Sequence, residues 1–396
     1  MIFLDDQTTI TIHRGVRQIG GCVTEISSGH ARVFIDFGEN LPGVDSSIPA
    51  IDGLTSGSGA DSALFLTHYH GDHIGQLKSV LPEVPVYMGE TAKAIQMNLI
   101  ECIASSDKPI YEKIKAFSAL DKIKIGNMTV TPLMVDHSAF DAYMFVIDTG
   151  GCRILHTGDF RLHGKRGSVT PKMLTTYAKN IDIIICEGTM MSRFGESPIS
   201  EYELQQKAKA LMKTSKYVFV LCSSTHIDRI GVFYHANPKG RLFICDDYQR
   251  KQLETVRNAH ADKSHFYNFN KLYTYGKNLD AHMEEKGFCM MIRNTPYFNK
   301  ILEKYKNRCL IIYSMWSGYL DDRAKNQSLC DFLAPYKYEA LHTSGHATAE
   351  DIRLVYDTVK PKKGLVPMHT ETPEAFRKII PKEKIIIIED GEALSI

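Results

Sequence analysis

Short apolar runs that stop at polar residues fill the first half of the chain. Thr8 to Val16, Cys22 to Ile26 and Ala31 to Phe37 are rich in Ile, Val, Thr and Phe and predict strands, with a hairpin turn at Ser28-Gly29-His30. Gly53 to Gly59 is small and polar and reads as a loop. Ala63-Leu64-Phe65-Leu66 predicts a buried strand, followed by a helix from Asp72-His73 to near Val80. Pro85 to Met88 predicts another strand, and Thr91 to Ser105 places apolar residues at helical spacing. Lys122 to Val135, Ala142 to Ile147, Arg153 to His156 and Ile181 to Cys186 are predicted strands, with a helix beginning near Pro171 before the last of them. Strand-rich halves with flanking helices predict an α/β fold built as an αββα sandwich.

The texture changes near Ser197-Pro198. Ser200 followed by Glu203 forms a capping-box pattern ahead of Leu204, Ala208, Leu211 and Met212. Strands at Tyr217–Leu221, Arg241–Cys245, Gly287–Ile292 and Cys309–Tyr313 then alternate with helices at Ile227–His235, Tyr248–His260, Pro296–Tyr305 and Ala324–Leu333. That alternation predicts a mostly parallel sheet. After His346 come a helix at Ala349–Val359, a strand at Gly364–Met368, a helix at Thr372–Ile380 and terminal strands from Lys384. Residues 197–345 therefore read as an α/β domain inserted into a sandwich made of 1–196 and 346–396.

Composition narrows the class. The 396 residues suffice for two to three domains, and 43% apolar content is far from a disordered chain. Lys plus Arg number 47 against 46 Asp plus Glu, so no global field draws the protein onto polyanions. Nucleic acid would have to be held by a local basic patch or through metal–phosphate contacts. The 9 cysteines are scattered and odd in number, and none lies in a C-x-x-C pair; they read as buried free thiols of a reducing compartment. The N-terminus Met1-Ile2-Phe3-Leu4-Asp5-Asp6 lacks a basic segment leading a long apolar one, and no apolar stretch reaches membrane-spanning length. The expectation is a cytoplasmic protein with no membrane partner.

The chemistry collects where strands stop. Thr67-His68-Tyr69-His70-Gly71-Asp72-His73 follows the Ala63–Leu66 run and places three imidazoles and a carboxylate within six positions. Neutral imidazole and carboxylate suit zinc, iron or manganese. Val135-Asp136-His137-Ser138, His156-Thr157-Gly158-Asp159-Phe160-Arg161, Ile185-Cys186-Glu187-Gly188-Thr189, His342-Thr343-Ser344-Gly345-His346 and Val366-Pro367-Met368-His369 repeat the placement. Loops at strand ends are exposed while the strands fix them. His156 reads as a packing or hydrogen-bonding residue rather than a ligand.

In these motifs, taken in this order, the chain resembles the metallo-β-lactamase family of the β-CASP type, and its ribonuclease J group most closely. The resemblance spans nearly the whole chain. It implies a metallo-β-lactamase sandwich with an inserted β-CASP-like domain and two divalent ions, zinc or manganese. His68, His70 and His137 would hold one ion, Asp72, His73 and His369 the other, and Asp159 would bridge. Asp72 would also orient or deprotonate the attacking hydroxide, and His346, partnered by Glu187, would act as an acid at the scissile bond. Relatives directed at DNA tend to lack the last histidine, so His369 favours RNA. The final motif departs from the family, reading His369-Thr370-Glu371 where His-Gly-Glu is usual. By the same resemblance, the sequence as it ends at Ile396 is expected to lack the separate C-terminal domain that aids self-association in ribonuclease J, and a homo-oligomer stays an open expectation.

Substrate contacts are expected from His342 and Ser344, which could hydrogen-bond a phosphate. Ser223, Ser224 and Arg229 open a helix after a strand. Arg161, Lys165 and Arg166, with His163, form a local basic cluster, and the sole tryptophan, Trp316, could stack on a base. The leading expectation is a ribonuclease cutting single-stranded RNA between the two domains. The alternative is a small-molecule metallo-hydrolase acting on thioesters, lactams or phosphodiesters. A noncatalytic RNA-binding scaffold is disfavoured by the filled ligand set.

Overall fold

A computed structural model describes residues 7–41, 47–322 and 324–396; the acidic N-terminal segment read above lies outside them. The chain divides into two compact units. The first runs to Leu162, resumes over Arg166–Ser197 and closes with Gly345–Ile396; the second comprises Pro198–Ser344 with His163–Lys165.

In the first unit, strands β1 (Thr9–Arg14), β2 (Val23–Ser28), β3 (Ala31–Ile35), β4 (Ser62–Phe65), β5 (Val86–Gly89) and β6 (Lys115–Phe117) belong to one sheet. A second sheet contains β7 (Ile123–Ile125), β8 (Met128–Val135), β9 (Ala142–Asp148), β10 (Arg153–His156) and β11 (Ile183–Glu187). The second unit supplies β12 (Tyr217–Leu221), β13 (Leu242–Cys245), β14 (Tyr273–Thr274), β15 (Phe288–Ile292), β16 (Cys309–Tyr313) and β17 (Glu339–Ala340). The chain then returns with β18 (Gly364–Met368) and β19 (Ala393–Ser395). β18 lies parallel to β11 and β19 antiparallel to β1, so the C-terminal segment completes both sheets of the first unit.

Period-two alternation builds the sandwich. Ile10, Ile12, Val33, Ile35 and Phe65 of one sheet pack with Met128, Val130, Phe145, Ile154, Ile183, Ile185 and Val366 of the other. The intervening residues Leu133, Val135, Leu155, Ile184 and Cys186 face the opposite side, where Leu174, Ile352 and Val355 from the helices Thr170–Tyr177 and Ala349–Val359 cover them. β8, β10, β11 and β18 run in one direction, so their carboxyl ends gather at one edge.

The second unit has an all-parallel sheet in the order β14-β13-β15-β12-β16-β17. Its strands read as unbroken apolar runs because both faces are buried, as in Tyr217-Val218-Phe219-Val220-Leu221. The Ser200–Glu203 capping box forms at the start of the helix Glu201–Lys213.

Several expected elements differ. The helix after the histidine motif spans only Gly71–Ile74, because the carbonyls of Asp72 and His73 accept from the N–H groups of Cys22 and Phe37 instead of continuing the helix. The single strand expected over Lys122–Val135 is a hairpin, β7 and β8, turned at Gly126-Asn127 with Gly126 at φ +55°. The helix expected from Ala324 begins at Gln327, where Asn326 caps it. Thr372–Ile380 is a tighter 3₁₀ segment over Pro373–Lys378, and only Ala393–Ser395 of the terminal run forms a strand. β14 and the helix Asp280–Lys286 carried too short a pattern to be read. Among the described residues, no helix is long and apolar enough to cross a membrane.

Candidate metal centre

Every side chain of the expected metal set lies in the first unit, and each follows the carboxyl end of a strand. His68, His70, Asp72 and His73 follow β4, His137 follows β8, Asp159 follows β10 and His369 follows β18. Glu187 is the last residue of β11.

Three nitrogens meet first. His68 Nε2 lies 3.0 Å and His137 Nε2 3.2 Å from His70 Nδ1. Tetrahedral zinc with Zn–N bonds of about 2.0–2.1 Å sets its ligand nitrogens about 3.3–3.4 Å apart, so this spacing suits a cation. The hydrogen bonds behind the rings set the tautomers. Thr67 Oγ1 donates to Asp36 Oδ2 at 2.8 Å, so it accepts from His68 Nδ1–H at 2.9 Å and leaves Nε2 as a bare lone pair. His137 Nδ1–H donates to the Gly345 carbonyl at 2.7 Å and leaves its Nε2 bare as well. A proton on His70 Nδ1 reaches only one of these two lone pairs; a cation reaches all three nitrogens.

The second group adjoins it. His73 Nε2 is 3.2 Å from Asp159 Oδ2 and 3.7 Å from Asp72 Oδ2, and His369 Nε2 is 3.4 Å from Asp72 Oδ2. His73 Nδ1 is bound to Asp36 at 2.8 Å and His369 Nδ1 to Thr189 Oγ1 at 2.7 Å, which turns both Nε2 atoms toward the carboxylates. His73 Nε2 is buried and faces the Asp159 carboxylate without a well-aligned hydrogen bond to it. Asp159 Oδ2 also lies 3.9 Å from both His68 Nε2 and His137 Nε2, which places it between the two groups. The donor set, the spacing and a buried His73 Nε2 that makes no well-aligned hydrogen bond fit a pair of divalent ions.

The electrostatics divide the set: burial opposes charge on His73, but Asp159, Asp72 and Asp36 outweigh it and raise that ring well above the usual histidine range, whereas the first group stays neutral. Burial, with repulsion from His73, His137 and His70, holds His68 well below the usual histidine range. Burial likewise lowers His137 far and His70 to about 4, so all three are neutral donors. Burial opposes charge on Asp72 and Asp159 too, but the surrounding histidines outweigh it and keep both ionised.

His346 stands beside this cluster, its Nδ1 3.1 Å from Glu187 Oε2 and 3.6 Å from Asp159 Oδ2. Burial works against charging the ring, but Glu187 and Asp159 prevail and raise its pKa to about 9. Glu187 is itself fixed, accepting from Phe160 N–H at 2.9 Å and from the N–H groups of Ala347 and Thr189 at 3.3 Å each.

The expected substrate contacts fare unevenly. Arg161 and Arg229 are corrected: each is 0% exposed and spent on a buried carboxylate. Arg161 pairs with Asp136 at 2.6 Å, and Arg229 pairs with Glu201 at 2.7 Å and Ser314 Oγ at 2.9 Å. Two ionised groups in a dry interior must neutralise one another, so neither guanidinium is offered to a phosphate. The Arg166 guanidinium lies over the Phe140 ring, and the Arg166 backbone N–H donates to Asp136. Lys165 bonds Gln205 and lies over Phe266. Ser224 accepts from Gln249, whereas Ser223 is exposed just ahead of the helix Ile227–Ala236. His342 and Ser344 are half-buried, and Arg229 donates to His342 Nδ1 at 3.2 Å. Trp316 packs edge-on to Tyr319 and over Gly318, where a Cβ would come within 2.4 Å of the indole.

Sequence reading missed Asp36, Thr67, Thr189 and Asp136. Asp36 is buried at φ +60° and accepts from Thr67 N–H, Thr67 Oγ1 and His73 Nδ1. Its signal was a carboxylate at the end of an apolar strand, concealed by extending that strand to Phe37.

Comparisons with known proteins agree with this architecture. Residues 62–204 match the model of the metallo-beta-lactamase superfamily, and residues 336–386 match that of the Zn-dependent metallo-hydrolase RNA specificity domain. The chain is 23% identical to ribonuclease J of Helicobacter pylori (strain ATCC 700392 / 26695), over 98% of this chain and 60% of that protein. It is 28% identical to ribonuclease J of Thermus thermophilus, over 89% and 67%, and 26% identical to that of Mycobacterium tuberculosis (strain H37Rv), over 98% and 74%. A crystal structure of a protein of unknown function from Enterococcus faecalis V583 superposes with a TM-score of 0.79 at 23% identity, covering 98% of this chain and all of that one. That likeness establishes the fold.

Proposed function

We propose that this chain, a metallo-β-lactamase-fold protein of the β-CASP type that resembles ribonuclease J, is a dinuclear-metal-dependent ribonuclease hydrolysing RNA phosphodiester bonds. The observation that carries the reading is Asp159 Oδ2, set within 3.2–3.9 Å of nitrogens from both histidine groups. His68, His70 and His137 would hold one ion, Asp72, His73 and His369 the other, with Asp159 shared. When bound, such a pair lowers the pKa of water and neutralises phosphoryl oxygens.

The chain's own groups supply the rest. Asp72 is half-buried, which lets it orient an attacking water and accept its proton. As the water oxygen bonds to phosphorus, the bond to the leaving oxygen breaks. His346 supplies the proton for that oxygen: its Nδ1 faces Glu187, so the transferable proton sits on Nε2. The RNA assignment is supported by the RNA specificity match and by the names of the relatives. Incubation with 5′-labelled single-stranded RNA, with and without chelator, tests it. Turnover confined to thioester, lactam or bis-nitrophenyl phosphate substrates would replace it with the small-molecule reading.

A further inference from the structure

An open cleft of about 610 Å³ lies in the first unit, within the size range of ligand sites. Its walls are the segments that follow two strands of the candidate metal centre. After Glu187, the last residue of β11, the chain passes Thr189 and forms the 3₁₀ turn Met191–Arg193, then Phe194. After β18 and His369 it passes Thr372 and forms the 3₁₀ segment Pro373–Lys378. The two walls are tied at their roots: Thr189 Oγ1 bonds His369 Nδ1 at 2.7 Å, and Gly188 N–H donates to the His369 carbonyl at 3.4 Å. The cleft therefore opens from the same strand ends as the metal-competent side chains.

Its lining combines an aromatic face with a cation. Phe194 is 48% exposed, although Lys378 Nζ lies 5.3 Å from the centre of its ring. Among the described residues, neither apolar core of this unit includes Phe194, so packing does not account for it. The acidic groups of the lining are already balanced: Glu374 meets Arg17 at 2.8 Å, and Glu196 faces Arg193 at 3.8 Å. Among the described residues, Lys378 has no carboxylate partner and rests only on the ring, a weak attachment that an anion would displace. Thr372 shares the wall, and its Oγ1 makes no hydrogen bond.

We infer that this cleft holds a nucleotide of the RNA flanking the scissile bond, its base stacked on Phe194 and its phosphate neutralised by Lys378. The inference rests on the ribonuclease reading above. Aromatic faces beside cations hold single strands in this way, and stacking tolerates any base because every base has a π-face. The cleft also supplies a local cation to a chain whose overall charge is nearly balanced.

Single-stranded RNA carrying 5-iodouridine, irradiated with the zinc-loaded full chain, reads the contact without reference to turnover. The expected cross-link maps to Phe194. Phe194→Ala should remove it and weaken RNA binding by about tenfold or more, and Phe194→Trp should restore both. Lys378→Gln should lower the slope of log affinity against log salt by about 0.7, the signature of one lost phosphate contact on a single strand. RNA that binds wild type and Phe194→Ala equally, with cross-links only elsewhere, would overturn this inference and leave the ribonuclease reading standing. A chain that binds no RNA yet hydrolyses bis-nitrophenyl phosphate would overturn both. The wild-type cross-link decides the matter even if a variant fails to fold.

Discussion

His73 Nδ1 lies 2.8 Å from Asp36 Oδ2, and that one carboxylate also accepts both the N–H and the hydroxyl of Thr67. Asp36 therefore sets the open nitrogen of His73 directly and that of His68 through Thr67, although it faces neither metal group itself. Asp36→Asn keeps a side chain that tolerates the left-handed backbone at this position but cannot accept on both atoms. Metal affinity should fall about 10–100-fold, because carboxylates behind ligating histidines fix tautomer and basicity. Zinc competition titrations measure it; affinity equal to wild type would show that Asp36 does not govern the ligands.

Removing a carboxylate from the centre should abolish chemistry and spare the fold. Asp159→Asn and Asp72→Ala leave the apolar layers between the two sheets untouched. RNA turnover should fall by several orders of magnitude, since metal-centred stabilisation of developing charge contributes on the order of several kcal/mol. Circular dichroism should stay native. Turnover within tenfold of wild type would place the catalytic centre elsewhere.

The two buried arginines should behave as stability residues. Arg229→Ala leaves Glu201 without its partner in a dry interior, and Arg161→Ala does the same to Asp136. Each should cost about 3–5 kcal/mol, the expense of stranding a buried charge. Denaturant titration measures the loss. A variant that keeps its stability and only weakens RNA binding would restore the phosphate-contact role expected from sequence.

His156 predicts an acid limb of stability. It is fully buried, Gly158 N–H donates to its Nδ1 at 3.1 Å, and its Nε2–H is directed at Thr24 Oγ1 at 3.4 Å. Burial, the largest influence, lowers its pKa from 6.5 to about 4. The unfolded chain therefore takes up this proton first as pH falls. The contribution is complete above 6.5 and is lost as pH drops through about 4, up to about 3 kcal/mol in all. Denaturation midpoints across that window, compared with His156→Gln, should show a shallower acid limb in the variant.

Strand ends were the legible part of this molecule. Val135-Asp136-His137 and Met368-His369 announce themselves because apolar runs stop abruptly at groups that bind metals, and β11, β12, β16 and β18 fall where those runs lie. Residues whose role depends on distant partners were not legible. Arg229 reads as an anion site beside a helix start until Glu201, 28 positions away in sequence, is seen to neutralise it. The helix after His73 reads as continuing to Val80 until Phe37 and Cys22 are seen to take its carbonyls. Local pattern carries period and chemistry; it does not carry competition from a remote strand.

Hydrolysis of RNA at this centre should require bound divalent metal. Cleavage of 5′-labelled single-stranded RNA by the purified full chain tests it most directly, run alongside chelator-treated protein and Asp159→Asn. Cleavage should be abolished by chelator, restored by returned zinc or manganese, and absent from the variant at every metal concentration. Intact RNA in the presence of metal-replete wild-type protein that turns over thioester, lactam or bis-nitrophenyl phosphate substrates would contradict it.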